Sequence, residues 1–254
     1  MADPDAVTIA YVGQNEVAMS WHLSIIQMIA YDSVNSQRLA RGGYLVMRCG
    51  TDGLAEARNS AVRAFLAEAK ADWLFWIDTD MGFEPDIVDR LMAEADPDER
   101  PLVGALCFGS TEDEPDGFGG YRTHPTPTTY RWTQAGDQVG WTPFLDFTPG
   151  QLLEVHGTGS AAVLIHRSVF ERIAVANGPN WYTRELNPTT GQLVSEDLSL
   201  CLRMRAQGIP MFVHTGVETT HLKPMWLGSH HYWNARLLEN IAKQMDGQQI
   251  EVPA

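Results

Sequence analysis

The stretch that decides the fold is Ala71-Asp72-Trp73-Leu74-Phe75-Trp76-Ile77-Asp78-Thr79-Asp80-Met81-Gly82. Five apolar residues in a row, Trp73 to Ile77, lie between polar residues, and a glycine follows shortly. A run that short and continuous predicts a strand buried on both faces, as in the middle of a mostly parallel sheet. A buried helix competes with this reading, but the aromatic content and the nearby Gly82 favour the strand. The run ends in two carboxylates spaced i, i+2. In extended backbone Asp78 and Asp80 point to the same side at the carboxyl end of the strand. Open α/β sheets bind ligands at that edge. Neighbouring acids repel, and each needs a counter-charge to stay ionised. A hard divalent cation carrying phosphate oxygens supplies one. The plain alternative makes both residues turn formers ahead of Met81-Gly82.

Working outward, Val7 to Val12 predicts a strand and Gly13-Gln14-Asn15 a turn. A helix follows with Trp21, Ile25, Met28 and Ile29 as its apolar stripe. Tyr44 to Met47 is a second strand. Gly50-Thr51-Asp52-Gly53 then leads into a helix with Leu54, Ala57, Ala61, Val62, Phe65 and Leu66 inward and Arg58 and Asn59 in its first turns. Pro85 opens the next helix, with Ile87, Val88, Leu91 and Met92 inward. Pro101 to Phe108 is a fourth strand. The order β-α-β-α-β-α-β implies a Rossmann-type parallel sheet with helices on both faces.

Beyond it, residues 109 to about 127 are rich in Gly, Pro, Thr and acid and predict a surface loop. A hairpin is expected around Ala135-Gly136-Asp137. Leu152 to His156 and Ser160 to His166 read as strands joined through Gly157-Thr158-Gly159. Ser168-Val-Phe-Glu171 is a capping box. A second loop, 177 to 192, precedes a helix that opens at Ser195-Glu196-Asp197 with Leu198, Cys201, Leu202 and Arg205 as its stripe. Met211 to His214 is a last strand, and a tail helix runs through Leu237, Ile241 and Met245. No linker separates the parts. The expectation is one domain over 1–254, with a nucleotide-binding half (about 7–108), an antiparallel acceptor half (about 109–226) and a C-terminal helix or tail (227–254).

The composition narrows the function. The chain has 254 residues, 44% apolar and 20% charged, enough to bury a full core. A net charge of −14 argues against a broad nucleic-acid footprint and against docking to anionic membrane. Cys49, Cys107 and Cys201 are odd in number and widely spaced, which fits a reducing, cytoplasmic setting. Dinucleotide-binding, Walker, zincin and hydrolase-elbow motifs are all missing from the sequence.

Trp73 to Asp80, followed by Met81-Gly-Phe-Glu-Pro85, resembles the Asp-x-Asp segment of GT-A fold glycosyltransferases. In that family this strand delivers a metal to the diphosphate of a nucleotide-sugar. The resemblance covers roughly residues 7 to 226 and implies Mn²⁺ or Mg²⁺ held by Asp78 and Asp80. Ser195-Glu-Asp-Leu-Ser-Leu-Cys-Leu-Arg-Met-Arg205 resembles the family's Glu-Asp-before-helix segment. It implies Asp197 as a general base, with Glu196 beside it; service to the helix dipole is the alternative. His221-Leu-Lys223-Pro224-Met-Trp226 is similar to the C-terminal segment of retaining members. There a His completes the metal shell and a Lys holds the diphosphate, although here Lys223 follows His221 by only two residues and the intervening Gly is missing. The first segment leans towards inversion and the second towards retention.

The same resemblance implies that Gly13, Asp52, Arg58, Asp78 and Lys223 face the donor, and that Gly157, Gly159 and Trp226 face sugar or acceptor. For Arg58 a salt bridge on its helix is the competing role, for the glycines a tight turn. Trp132, Trp141, Trp181 and Trp226 suit either sugar stacking or core packing. The function implied is metal-dependent transfer from a nucleotide-sugar, UDP-sugar first, to an acceptor hydroxyl. A glycan or protein acceptor is favoured over modified nucleic acid, no membrane is expected, and the oligomeric state stays open. The alternatives are a sugar-phosphate nucleotidyltransferase, whose Gly-rich basic loop Val12-Gly13-Gln14-Asn15 does not supply, and a non-catalytic carbohydrate- or protein-binding module.

Overall fold

The computed structural model describes residues 3–115, 117, 119–135, 138–187, 191, 193–225 and 227–245. Trp226 and the hairpin tip Gly136-Asp137 lie outside the described residues. The chain begins with β1 (Asp3–Gly13), α1 (Met19–Val34), α2 (Arg38–Gly42), β2 (Tyr44–Arg48), α3 (Gly53–Glu68), β3 (Ala71–Ile77), β4 (Met81–Phe83), α4 (Ile87–Glu94) and β5 (Leu102–Leu106). Next come β6 (Phe108–Pro115), β7 (Tyr121–Pro127), β8 (Thr129–Ala135), β9 (Gln138–Pro143), β10 (Leu152–Val155), β11 (Gly157–Thr158) and β12 (Ala162–His166). It ends with α5 (Arg167–Asn177), β13 (Glu185–Leu186), β14 (Leu193–Val194), α6 (Glu196–Ala206), β15 (Met211–His221) and α7 (Ser229–Met245).

The main sheet has the order β10-β15-β5-β12-β3-β1-β2, with β4 paired to β15. β3 sits inside it, parallel to β1 and antiparallel to β12, with Phe75 opposite Ile9 on one side and Leu164 on the other. Trp73 to Ile77 are all at most 3% exposed. Leu74 and Trp76 enter one core layer with Phe65 and Phe170, whereas Trp73, Phe75 and Ile77 enter the other with Trp21 and Leu91. Each such burial contributes about 1.5–3 kcal/mol, so this strand is the axis of the core, as its continuous apolar run predicts.

The mixed α/β plan with a mostly parallel sheet matches the sequence reading, and four local expectations change. β5 does not lie beside β3, because β12 inserts antiparallel between them. Ala162 to Ile165 are apolar on both faces and buried, so the strand suits an interior place that element order alone does not reveal. The stretch expected as a loop after residue 109 holds the ribbon β6-β7. α5 is capped by His166, whose Nδ1 accepts from the Ser168 N–H, rather than by Ser168. Finally, β15 runs on through an irregularity between His214 and Glu218 and ends at His221, which sequence placed beyond the last strand.

Two helix stripes also rotate. α1 buries Trp21, Ser24, Met28 and Asp32, leaving Ile29 51% exposed. Asp32 tolerates burial because its carboxylate accepts the Leu39 and Ala40 N–H groups, both at 3.1 Å, at the start of α2. α6 buries Ser199, Leu200, Cys201 and Met204 rather than Leu198, Leu202 and Arg205. The Ser199 hydroxyl donates to the Glu196 carbonyl and accepts from the Thr183 N–H, so its polarity is satisfied inside.

The chain divides into two compact units. One comprises residues up to Gly109 together with Pro125–Leu222, the other Ser110–His124 with the chain from Lys223 onward. Among the described residues no helix is long and apolar enough to cross a membrane.

Candidate functional site

A cleft of about 630 Å³ opens at the carboxyl ends of β1, β2 and β3, lined by Val12 to Glu16, Cys49, Leu54 and Asp78-Thr79-Asp80. The acidic segment is pinned on both sides. The Asp78 N–H donates to the Ala161 carbonyl at 2.8 Å, and the Thr79 carbonyl accepts from Ala18 at 2.9 Å. The Met81 N–H donates to the Asp78 carbonyl at 3.2 Å, so the chain turns from β3 into β4 instead of staying extended as expected, and the two carboxylates take different partners, Asp78 with Arg58 and Asp80 with His221.

That turn brings Asp80 to His221. β4 pairs with β15 so that Met81 faces His221, and the Leu222 N–H donates to the Asp80 carbonyl at 2.9 Å. His221 Nδ1 lies 2.7 Å from the Phe108 carbonyl oxygen and Nε2 lies 3.0 Å from Asp80 Oδ2. A carbonyl only accepts, so Nδ1 carries the hydrogen and a neutral ring turns the Nε2 lone pair towards a carboxylate oxygen. Two acceptors at that distance require a proton or a metal cation between or beside them. In an octahedral shell with bonds of about 2.1 Å, adjacent donors stand about 3.0 Å apart, so the pair is spaced for one cation. The Nδ1-to-carbonyl bond is the support that metal-binding imidazoles use.

Among the described residues no group of three or more His, Cys, Asp or Glu side chains is gathered to hold a metal. Magnesium-type sites commonly use one or two protein ligands completed by substrate phosphates and water. Asp80 offers the carboxylate of such a site, and His221 adds an imidazole nitrogen beside it. If His221 is a ligand, His221→Ala should raise the Mn²⁺ concentration for half-maximal nucleotide binding by roughly tenfold or more. A titration that leaves the metal requirement unchanged assigns His221 to structure alone.

Arg58 joins Asp78 to the second acidic group. It is 2% exposed, stacked on Trp76 at 5.1 Å and on Tyr182 at 5.7 Å. Nη2 donates to Asp78 Oδ1 at 2.8 Å and Nη1 to the Ser160 carbonyl at 3.4 Å, while Nε is 3.9 Å from Glu196 Oε1. Burial works against the guanidinium charge, yet Asp78, Tyr182, Asp197 and Glu196 together hold its pKa up. For Asp78 burial outweighs Arg58, and with Asp80 and Asp197 adding repulsion its pKa is raised. Glu196 is likewise raised by burial and by its neighbour Asp197. One buried cation therefore serves several carboxylates, and a further cation is electrostatically favoured there.

Removing the buried partner strands a half-buried acid. Arg58→Met is expected to cost about 3 kcal/mol in urea unfolding, with part restored by adding Asp78→Asn. A cost within about 0.5 kcal/mol, ordinary for surface substitutions, removes the counter-ion role.

Asp197 stands in the first turn of α6. Its Oδ1 accepts the Ser195 hydroxyl and, at 3.1 Å, the Leu198 N–H. Its Oδ2 faces Gly159, where a Cβ would come within 3.4 Å of it. One oxygen thus serves the helix start and the other looks onto the glycine turn. Gly157 differs from Gly159. A Cβ there would meet the Trp141 ring at 2.8 Å, so that glycine makes room for an indole.

The other expected positions separate. Gly13 lines the cleft, and Asp52 is exposed between the cleft residues Cys49 and Leu54. Trp181 is core, its indole N–H donating to the Phe170 carbonyl at 2.7 Å. Trp132 and Trp141 meet edge to face across the β8-β9 hairpin. Lys223 belongs to the second unit.

Sequence reading missed two supports. Asn59 and Tyr182 exchange hydrogen bonds of 2.8 and 2.9 Å, tying the second loop to α3 beside Arg58. A polar pair on a helix face expected to be apolar was the available signal for Asn59. The Phe108 carbonyl behind His221 is backbone and left none.

No family model matches the chain, and no curated protein matches it. Among solved structures it is similar to GalNAc-T7 with UDP, GalNAc and Mn²⁺, at TM-score 0.53 and 13% identity over 87% of this chain. The fold is of the GT-A type. The chain spans 43% of the length of that GalNAc-T7 chain, and at this identity the likeness concerns the fold alone. A197 from STIV is also similar, at TM-score 0.48 and 14% identity over 86% of each chain.

Proposed function

We propose that this protein is a metal-dependent glycosyltransferase that moves a sugar from a nucleotide-sugar, a UDP-sugar first, to an acceptor hydroxyl. The observation that carries the reading is the placement of His221 Nε2 3.0 Å from Asp80 Oδ2, with Nδ1 2.7 Å from the Phe108 carbonyl oxygen. Asp80 also lines the cleft at the sheet edge. GalNAc-T7, similar in fold, carries UDP and Mn²⁺ in its own structure.

In this reading Asp80 and His221 hold Mn²⁺ or Mg²⁺. The ion, when bound, neutralises charge on the departing nucleoside diphosphate. Asp78, fixed by Arg58, faces the ribose or a water of the metal shell. Gly13 and Asp52 border the nucleotide. Asp197 Oδ2 takes the acceptor proton as attack occurs, Glu196 lies beside it, and Gly159 belongs to the sugar and acceptor side. We assign the catalytic work to the chain as one functional domain, acting in the cytoplasm on a glycan or protein hydroxyl.

Calorimetry with UDP in the presence and absence of Mn²⁺ tests this. Binding that depends on the metal is expected. No binding of any nucleoside diphosphate, with or without metal, leaves a carbohydrate- or protein-binding module as the better reading. Acceptor-free hydrolysis across a panel of nucleotide-sugars then identifies the donor.

A further inference from the structure

α1 carries large apolar residues on both sides, with Ser20, His22, Gln27 and Ser33 among them on the open side, yet only one side is covered. Its buried side carries Trp21 and Met28, while Met19, Leu23, Ile26, Ile29 and Val34 on the other side are 51% to 80% exposed. The sequence Met19-Ser-Trp-His-Leu-Ser-Ile-Ile-Gln-Met-Ile-Ala-Tyr-Asp-Ser-Val34 holds no Lys, Arg or Glu, and its one carboxylate, Asp32, is buried. In a chain that is 20% charged with a net charge of −14, an exposed helix face whose one acidic or basic side chain is His22 is unusual. Loss of charge from the centre of a patch is the compositional mark of an interface.

The patch continues onto the sheet. β2 is the last strand in the sheet order, hydrogen-bonded to β1 on one side. Its exposed residues Tyr44 and Val46 are 74% and 49% accessible. Ile25 and Ile29 of α1 and Tyr44 of β2 line one groove of about 460 Å³, so helix face and strand edge are contiguous. Proteins usually blunt such an edge with Lys, Pro or a bulge. Tyr44-Leu-Val-Met-Arg48 offers only a terminal Arg.

We infer that the α1 face and the β2 edge form a two-fold interface with a second copy of this chain. Two observations choose this occupant over a lipid surface. The free N–H and C=O groups of an edge strand need peptide partners, which hydrocarbon does not supply. An interfacial membrane helix also pairs its apolar face with Lys and Arg, and α1 has neither. The size agrees as well. Taking roughly 150–200 Å² for a fully exposed side chain of these types, the patch presents about 700 Å², near the ~800 Å² each partner gives to a standard interface. In a two-fold arrangement β2 meets β2 antiparallel, extending the sheet, and each α1 lies beside its mate.

Sedimentation velocity of the full chain from low to high micromolar concentration tests the interface. A concentration-dependent dimer is expected. Ile26→Glu and Val46→Lys each place one charge on the patch and its copy on the mate, so each should weaken dimerisation at least tenfold, with the urea unfolding midpoint of the monomer retained. Mixing Ile26→Glu with Ile26→Lys chains should restore a dimer, which a merely misfolded variant does not do. A monomer at every concentration overturns the inference. So does a dimer indifferent to all three substitutions, and so does a monomer that sediments with neutral phosphatidylcholine vesicles through Ile26.

Discussion

Asp80→Ala is expected to lower Mn²⁺-dependent UDP affinity by roughly 100-fold or more while leaving the fold intact. Asp80 is one half of the acceptor pair with His221, and its side chain is 36% exposed where it borders the cleft. It also adds to the repulsion that raises Asp78. Deleting it therefore removes a ligand and relieves an unfavourable charge contact together. Calorimetry reads the first effect and urea unfolding the second. Asp78→Ala should behave oppositely. It weakens nucleotide binding less but leaves the buried Arg58 without its closest partner, so its larger effect falls on stability. An Asp80 variant that still binds UDP and Mn²⁺ with native affinity places the metal elsewhere.

Asp197→Asn is expected to reduce turnover by roughly 10²–10⁴, the usual scale for losing a general base, with UDP and metal affinity unchanged. The two oxygens of this carboxylate have different surroundings, which makes the substitution informative. An Asn carbonyl in the Oδ1 position still accepts from the Ser195 hydroxyl and the Leu198 N–H, so the start of α6 is kept. The amide nitrogen then stands where Oδ2 faces Gly159 and cannot take a proton. Support of the first turn of α6 and proton abstraction are thereby separated in one variant. Near-normal turnover would leave Asp197 as a helix-start residue. The anomeric configuration of the product, read by NMR, then distinguishes inversion from retention.

Several features of this protein were legible in the sequence alone. The two-sided burial of Trp73 to Ile77 and the longer strands and helices up to Leu106 follow from local patterns, whereas the short α2 and β4 were not expected and Asp78 to Asp80 turn after β3 instead of extending it. Continuous apolarity and side-chain period are properties of neighbours in the chain, so a sequence displays them directly. The same holds for Asp197, whose place at the first turn of α6 is written in Ser195-Glu196-Asp197.

What depended on partners distant in sequence was decided by the tertiary structure. The interior position of β12, the burial of Arg58 between Asp78 and Glu196, and the crowding of Gly157 by Trp141 each join residues far apart in the chain. The extension of β15 to His221 is of the same kind, because Met81 to Phe83 must first turn back as β4 to pair with it. Hydrogen-bond partners and desolvation belong to the assembled surroundings and not to a residue's own side chain. Asp80 and His221 are 141 residues apart, and the pairing of β4 with β15 brings Oδ2 and Nε2 to 3.0 Å.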